Sequence, residues 1–398
     1  MAGSRRLVVA VAVAGLALGA CSSSSSGSTT SKSTSTTTEE PTRGPDAADA
    51  ALDAAIGALV KTTDGPPGVA VVVQRESAPP DVHSAGTGTV GQDSPIAGDD
   101  HLRIASVAKA YSGATALALV RDGRLGIDDT IGKWLPDQPA IWHAVTVRQL
   151  LQHTSGIPDF SSSPEFLDAL KASLTVAPAP EQLIGYVADE PLEFASGTRY
   201  EYSNSDNVLV GLIVQAVTGG TYADALGTLV ATPLGLSQTT LPSGVDVPEP
   251  IAHGYAIDPG AEPEDVTSVI AAGWSWASGG VVSTPFDSNT FVRAYVSGQL
   301  TDQLGRAAQR TVRTGSSEPP GPGENKAGMA IFRYDTRCGT VYGHTGNTPG
   351  YTHFIAATPD GTRSTVVAVN QQITPQADPD HFPALRRIFE LAVCAATA

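Results

Sequence analysis

The sequence predicts an α/β (α+β) protein in which N- and C-terminal helices flank an antiparallel sheet and a helical lobe is inserted between the strands. Two observations predict this architecture. Segments with helical periodicity are found close to both ends of the chain, and β-branched runs typical of strands are found next to them. Between them, a long middle section mixes helical segments with Pro/Gly loops. Hydrophobic residues make up 41% of the 398 residues and charged residues 16%, so the chain can bury a sizeable core.

The N-terminal part of this fold is predicted from two helical and two strand patterns. Leu52, Ile56 and Leu59 share one stripe at helical spacing, and a Gly-Pro-Pro-Gly sequence ends that helix. Runs rich in β-branched residues indicate strands. We expect a helix over 47–60, strands over 69–74 and 82–90, and a helix over 106–120.

The C-terminal part is predicted to be a helical lobe over about 121–290, followed by strands and a final helix. A Gly/Pro-rich loop at 315–323 separates the lobe from the strands. Leu385, Ile388 and Phe389 mark an amphipathic helix at the end of the chain. The strands are expected at 329–333, 341–343, 352–357 and 364–369.

The first residues indicate export and attachment of a lipid. Two arginines precede the apolar run Leu7–Leu18, which is shorter than the ~20 residues of a membrane-spanning helix. The run ends in Leu-Gly-Ala-Cys, which resembles the lipobox of bacterial lipoproteins. We therefore expect a signal peptide over 1–20 and a lipidated Cys21 that anchors the protein to the outer face of the bacterial cell membrane. An ordinary signal peptide with an incidental cysteine is the alternative.

A Ser/Thr-rich tether is expected between this anchor and a folded domain over 46–398. Residues 22–38 are almost entirely Ser and Thr, and such a composition cannot bury enough apolar surface to fold. Cys338 and Cys394 remain as an even pair of cysteines. In the oxidising compartment that export implies, we expect them to form a disulfide.

Several classes of partner are excluded. The formal net charge of −16 argues against nucleic-acid binding, which needs a basic surface. A Gly-x-Gly-x-x-Gly sequence at 86–91 is followed by a turn instead of a helix, so no nucleotide cofactor is expected. No His-Glu-x-x-His sequence is present and the histidines do not cluster with carboxylates, so no metal is expected. The oligomeric state stays open.

A candidate nucleophile is found beside one of the six lysines. Ser106 precedes Lys109 by three residues, close to one helical turn, so both side chains share a face. A serine hydroxyl is a poor nucleophile until a base removes its proton, and a lysine amine can do so where burial lowers its pKa. Because about 0.5 such pairs are expected by chance, the motif is weak by itself.

Two further motifs make the set specific. Tyr202 and Asn204 form the only Tyr-x-Asn sequence, and His344, Thr345 and Gly346 the only His-Thr-Gly sequence. The chance of finding all three motifs is on the order of 0.006. A related His-Thr-Ser-Gly sequence at 153–156 is interpreted as the end of a helix.

In this order, the three motifs resemble those of the serine β-lactamase and penicillin-binding protein family, specifically its class C-like and D-alanyl-D-alanine carboxypeptidase branch. Segments 102–106, 125–129 and 146–156 also resemble this family, and the resemblance covers about 46–398. It implies an α/β lobe with an antiparallel sheet, an inserted helical lobe, and an active site between them.

The resemblance also implies roles for the first two motifs. Ser106 would form an acyl-enzyme, and Lys109 and Tyr202 would together move the proton. Which of the two is the formal base stays open. Asn204 would orient the substrate amide and form a hydrogen bond near Lys109.

For the third motif, the resemblance implies a strand beside the nucleophile. His344, Thr345 and Gly346 would bind substrate from this strand, with Gly346 allowing the substrate backbone to approach closely. The backbone N–H groups of Ser106 and Asn347 would form the oxyanion hole.

Three positions in this binding region leave questions open. Trp276 is expected to form a wall of the pocket, with plain core packing as the alternative. His344 stands where the family more commonly has lysine, so we expect its charge to depend on pH near neutrality. Asn347 stands where carboxypeptidases are expected to have a hydroxyl residue, which weakens the case for binding a substrate carboxylate.

The sequence therefore predicts an extracytoplasmic serine hydrolase that acts on ester or D-amino-acid amide substrates. An esterase, a DD-carboxypeptidase and a weak β-lactamase would all use these residues, and the substrate would be a small molecule or a peptidoglycan peptide. The alternative is a non-catalytic cell-envelope lipoprotein that keeps the fold for binding a ligand or a protein.

Overall fold

A computed structural model gives the fold of residues 44–398. The predicted signal peptide, the lipid attachment at Cys21 and nearly all of the predicted tether lie outside these described residues. The first helix begins at Pro45, next to the predicted start of the folded domain.

The strands are short, apart from those that form the centre of one sheet. In chain order they are β1 (Gly68–Gln74), β2 (Asp81–Gly86), β3 (Leu102–Arg103), β4 (Tyr255–Ala256), β5 (Glu264–Asp265), β6 (Val282–Ser283), β7 (Arg313–Thr314), β8 (Glu324–Ala327), β9 (Phe332–Thr336), β10 (Gly339–Thr348), β11 (Tyr351–Ala357) and β12 (Ser364–Val369).

The α-helices begin and end the described chain and also fill its middle. They are α1 (Pro45–Val60), α2 (Ala108–Arg121), α3 (Ile131–Trp134), α4 (Val147–Leu151), α5 (Pro164–Ala172), α6 (Pro180–Gly185), α7 (Asn204–Thr218), α8 (Tyr222–Leu226), α9 (Thr232–Leu234), α10 (Trp276–Gly279), α11 (Pro285–Ser297), α12 (Gln303–Gln309) and α13 (Phe382–Thr397).

The main sheet has eight strands in the order β2-β1-β12-β11-β10-β9-β8-β7, and all neighbours are antiparallel. Strand β1 illustrates why the centre of the sheet is stable. Val69, Val71 and Val73 pack with α1 and α13 on one face, whereas Val72 belongs to the core on the other face. Because side chains alternate along a strand, a run of valines suits a strand that is buried on both sides. The predicted antiparallel sheet with N- and C-terminal helices packed on it is confirmed, and both helices lie on the same face.

The helical lobe is inserted between β3 and β6, which pair with each other at its base. It extends over 104–281 instead of the expected 121–290. Helix α2, which was expected to precede the lobe, lies in its core against α7 and α10. Helix α11, which was expected to end it, packs on β11 and β12. The difference arises because α2 is buried along its length and so needs neighbours on every side.

One strand is displaced from its predicted position. The sequence predicts a strand over 329–333, but β9 begins at Phe332. Ala330 has φ +52°, and the Gly328 N–H donates to the Ile331 carbonyl, so a turn occupies the start of the predicted segment. The Ala330 N–H also donates to the carbonyl of Leu151, which ties this turn to the helical lobe.

A disulfide joins Cys338, in the turn between β9 and β10, to Cys394 in α13, with the two Cα atoms 5.1 Å apart. This is the pairing expected from the sequence. It links the terminal helix to the strand that carries the His-Thr-Gly motif. In the loop-entropy account, a cross-link over 56 residues contributes roughly 4 kcal/mol to the free energy of unfolding.

Within residues 44–398, no single helix is both long enough and apolar enough to cross a membrane. One pair, Asn204–Thr218 with Tyr222–Leu234, meets these requirements by length and composition alone and is bent by 83°. The first member of the pair is α7, most of which is buried in the lobe core.

Candidate active site

The candidate nucleophile lies on a strained turn between β3 and α2. Ala105 has φ +50°, in the left-handed region that residues other than glycine rarely adopt. A 3₁₀ turn over Ala105–Val107 leads from it into the helix. Ser106 is partly exposed, whereas the residues on both sides of it are buried. The turn therefore presents the Ser106 hydroxyl to solvent at the N-terminal end of a helix, where the helix dipole is positive.

Lys109 is fully buried beside this hydroxyl. Its Nζ lies 3.2 Å from Ser106 Oγ, 2.7 Å from Asn204 Oδ1 and 2.8 Å from the Ser278 carbonyl oxygen. The amide oxygen and the carbonyl oxygen can only accept hydrogen bonds, so they take both N–H groups of a neutral amine. The lone pair of that amine is left facing Ser106 Oγ.

Burial lowers the pKa of Lys109 to about 7, because the charged ammonium loses its hydration. The negative charges of Asp159 and Glu318 act in the opposite direction and keep the pKa from falling further. A substantial fraction of Lys109 is therefore neutral at neutral pH and able to accept a proton.

Tyr202 lies on the other side of the lysine. The Lys109 Nζ is 4.9 Å from the centre of its ring. Within residues 44–398, no hydrogen bond of normal geometry reaches the buried Tyr202 hydroxyl, although Ser106 is near enough to lower its pKa. Burial has the larger effect and raises the pKa of Tyr202 well above its usual value. Tyr202 is therefore a neutral phenol at neutral pH. In this state it can donate its proton but cannot act as a base.

Asn204 is held in place by a residue that the sequence analysis missed. The backbone N–H and Nδ2 of Asn204 donate to Asp159 Oδ2 at 3.0 and 2.9 Å. This turns the amide oxygen of Asn204 toward Lys109. Asp159 follows the 153–156 motif by three residues, but it belongs to none of the motifs and no sequence signal marks it.

A buried polar pair supports the ring of Tyr202. The ring of His153 lies 4.7 Å from that of Tyr202, and its Nδ1 is 3.0 Å from Asp206 Oδ2. Burial lowers the pKa of His153 to about 3 and raises that of Asp206 well above its usual value. His153 does follow a helix, as expected, but its ring also packs against the candidate site.

The expectation that His344 titrates near neutrality is wrong. Its side chain is fully buried, packs edge-on against Phe332 with ring centres 5.0 Å apart, and has Nδ1 against the Thr345 carbonyl. Burial lowers the pKa of His344 to about 3, so the ring stays neutral at physiological pH. His344 also lies outside the lining of the pocket, and therefore offers no cation to a substrate.

Thr345 and Gly346 lie on β10 beside the nucleophile, as expected, and both make contacts within the protein. The Thr345 hydroxyl donates to the Pro319 carbonyl at 2.6 Å and so holds the 315–323 loop. A Cβ on Gly346 would lie 2.4 Å from the Ile104 carbonyl oxygen and 3.0 Å from the Ser106 nitrogen. Glycine is thus required here for β10 to approach the nucleophile turn.

Asn347 lines the pocket, as expected, whereas Trp276 does not. The ring of Trp276 is buried 5.2 Å from that of Tyr222 and contacts α7 at Gly211. The expectation that Trp276 walls the pocket is therefore corrected to core packing. Trp274, two residues earlier, lines the pocket instead.

These residues meet in a cleft of about 980 Å³ between the helical lobe and the sheet. Apolar side chains such as Phe166, Ile270 and Trp274 form part of its wall. Among residues 44–398, the lining includes no Lys, Arg or His. The carboxylates that line the cleft are those of Asp159, Glu190, Glu193, Glu201 and Glu318.

Within the part of the chain that the structure describes, no group of three or more His, Cys, Asp or Glu side chains is placed to hold a metal ion. The chemistry available in the cleft is that of an activated serine beside a neutral amine, a buried phenol and a positioned amide.

The chain is similar in sequence to curated proteins. A penicillin-binding protein of Bacillus subtilis is 25% identical over 306 residues, which is 73% of this chain and 65% of that protein. The esterase EstB of Burkholderia gladioli is 30% identical over 209 residues, covering 42% of this chain and 53% of the esterase. The chain thus spans less than two thirds of the length of these curated relatives.

Solved structures match over more of the chain. A D-stereospecific amidohydrolase from Streptomyces sp. is 28% identical, with a TM-score of 0.72 over 84% of this chain and 98% of that one. A D-amino acid amidase from Ochrobactrum anthropi SV3 shares the fold at 24% identity, with a TM-score of 0.74 over 88% of this chain and 97% of that one. The family model described as Beta-lactamase matches residues 52–389. Because that match extends over most of the chain and includes every motif of the cleft, this protein belongs to the Beta-lactamase family.

Proposed function

We propose that the protein is an exported, lipid-anchored serine hydrolase that acts through an acyl-enzyme on Ser106. The observation that carries this proposal is the 3.2 Å contact between Ser106 Oγ and the buried Lys109 Nζ, whose other two contacts are with hydrogen-bond acceptors. The similarity to an esterase and to a D-stereospecific amidohydrolase supports the same chemistry. A protein kept only for binding would not need a buried lysine with a pKa of about 7.

In the proposed reaction, Ser106 Oγ attacks the acyl carbon while Lys109 takes the hydroxyl proton. The negative charge on the substrate oxygen is received by the backbone N–H groups of Ser106 and Asn347, each such donor contributing about 2.7–4 kcal/mol. Tyr202 donates its proton to the leaving alcohol or amine and regains one from Lys109. Water then attacks the acyl-enzyme by the same transfers in reverse and releases the acid.

The charge of the cleft favours esters and amides over substrates that carry a free carboxylate near the scissile bond. A terminal carboxylate is normally held by a cation and additional donors, and the lining offers amides but no cation. We therefore propose that short esters and D-amino-acid amides are the substrate class, with D-Ala-D-Ala peptides and β-lactams hydrolysed slowly.

We expect p-nitrophenyl acetate to be hydrolysed with a higher kcat/KM than an N-acylated D-Ala-D-Ala peptide at neutral pH. A burst of p-nitrophenol and one acetyl group on the intact protein would identify the acyl-enzyme. A fluorescent penicillin is the corresponding substrate for the β-lactams, which we also expect to be hydrolysed slowly. A higher kcat/KM for the peptide would contradict the substrate assignment, while an acyl adduct formed by the peptide would still support the acyl-enzyme.

The membrane anchor is tested at Cys21. Because the residues before it match a lipobox, the mature protein should begin at a lipidated Cys21 and partition with membranes. The Cys21→Ser protein should be found unprocessed or released, with its esterase activity retained because the folded domain is unchanged. Intact mass spectrometry of the wild-type N-terminus checks this, and an unlipidated mature N-terminus would contradict it.

A further inference from the structure

The five carboxylates of the cleft are not equivalent. Both oxygens of Asp159 are engaged, because Oδ1 accepts from the Ser161 N–H and Oδ2 from Asn204. Glu201 pairs with Arg199 at 2.6 Å. Glu193 lies against Glu201, and this like charge adds to burial in raising its pKa to about 7. Each of these three carboxylates therefore already has a partner among the described residues.

Glu318 differs from them. Its carboxylate makes no hydrogen bond or ion pair with any residue in 44–398, and its side chain is exposed to the solvent of the cleft. It is near enough to the catalytic groups to act electrostatically on Lys109 and Tyr202. Within the same residues Glu190 also makes no side-chain hydrogen bond or ion pair, but it is not among the groups that shift the pKa of Lys109 or Tyr202.

The loop that carries Glu318 is held firmly in place. The Tyr200 hydroxyl donates to the Ser316 carbonyl and that of Tyr334 to Ser317 Oγ, at 2.6 and 3.0 Å. Thr345 of β10 holds the next residue, Pro319, and Asn347 Nδ2 lies 3.5 Å from the Glu318 carbonyl oxygen. Glu318 therefore projects from a loop that is fixed to the strand beside the nucleophile.

We infer that Glu318 receives a positively charged group of the substrate, the α-ammonium of an amino-acid ester or amide. In such a substrate the ammonium is two bonds from the acyl carbon that Ser106 attacks, so it lies beside the reacting groups. The inference rests on the proposed function, and it narrows the substrate class from esters and amides in general to those with a free amino group.

Two further observations favour this occupant. No Lys, Arg or His of the described residues lines the cleft, so its wall offers Glu318 no ion pair. Burial and the negative charge of Asp159 raise the pKa of Glu318, whereas the charge of Lys109 lowers it, and a cation that enters the cleft would favour the carboxylate in the same way. Tyr202 lines the same cleft, and within residues 44–398 its buried hydroxyl has no hydrogen-bond partner of normal geometry. An N-acylated or anionic substrate would leave the Glu318 carboxylate unpaired, or place a like charge against it.

The test uses three p-nitroanilides that differ in the charge at one position. They are D-alanine p-nitroanilide, its N-acetyl derivative and its N-succinyl derivative, assayed at one pH slightly below neutrality where the α-amine is protonated. We expect kcat/KM to fall in that order, with the free amine about tenfold or more above the N-acetyl compound. In Glu318→Gln, which keeps the size of the side chain, the ratio of the free amine to the N-acetyl compound should fall toward one.

The ratio of the two kcat/KM values is compared because Glu318 also acts on Lys109. That effect is the same for both substrates and therefore cancels in the ratio. Glu264→Gln is the matched control, since Glu264 is exposed on β5, away from the cleft, and should keep the wild-type ratio. A wild-type enzyme that prefers the N-acetyl compound, or a ratio unchanged in Glu318→Gln, would overturn the inference. Reaction of Ser106 with p-nitrophenyl acetate, which carries no charge, reports separately on the proposed function.

Discussion

Replacing Ser106 by alanine should abolish both hydrolysis and covalent labelling by a fluorophosphonate. Ser106 Oγ is the only hydroxyl that lies 3.2 Å from Lys109 Nζ among the described contacts, and removing a nucleophile that works as part of a unit costs roughly 10⁶-fold in kcat. The fold should be unaffected, because the substitution removes one partly exposed hydroxyl. We expect the melting temperature to change by no more than about 3 °C.

The measurement is mass spectrometry of the labelled tryptic peptide, with hydrolysis of p-nitrophenyl acetate followed in parallel. Ser77→Ala is the matched control, because Ser77 lies exposed in the turn between β1 and β2 and should leave labelling unchanged. Labelling that persists in Ser106→Ala would exclude Ser106 as the nucleophile. A fluorescent penicillin that labels the wild type should also lose its target in this variant.

The second large effect concerns Lys109 and has a defined pH dependence. Only the neutral amine can take the Ser106 proton, and the pKa of Lys109 is about 7. The value of kcat/KM for a neutral ester should therefore be highest above that pH and fall as the pH is lowered through it. Well below it, the fall should be about tenfold per pH unit. A rate that does not change from about pH 5 to about pH 9 would exclude Lys109 as the base.

Substitution tests the same assignment independently. Lys109→Met keeps a similar length without an amine and should lower kcat/KM by about 10²- to 10⁴-fold, the usual contribution of a general base. Any activity that remains should lose the pH dependence near 7. Lys171→Met is the control, because Lys171 is exposed and pairs with Asp168 in the same helix. Far-UV circular dichroism of both variants would show whether the fold is retained.

The structure removes one pH effect that the sequence suggested. A protonated His344 would have helped to hold a substrate carboxylate more firmly as the pH falls from 8 to 6. Since burial keeps His344 neutral, a change in the ratio of peptide to ester hydrolysis over this range cannot come from it. Two groups at the cleft have a pKa of about 7, Lys109 and Glu193, and loss of the pH dependence in Lys109→Met would assign it to Lys109.

Local physical chemistry accounts for what could be predicted from the sequence alone. The spacing of Ser106 and Lys109 places both on one helix face wherever that helix lies, so their proximity follows from the helical repeat. The valine-rich strand β1 and the amphipathic helix α13 follow from periodicity in the same way. The family was predicted from motif order, because three rare motifs in one order are specific even when each is weak.

Only the tertiary structure decided which distant residues meet and how deeply each is buried. Asp159 and Glu318 lie in loops without any motif, and they come to the cleft only because the lobe and the sheet close around it. Trp276 and Trp274 are two residues apart, yet one packs in the core and the other lines the pocket. The charge states of Lys109 and His344 follow from the loss of hydration on burial, which depends on every neighbour in space and is not contained in any local pattern.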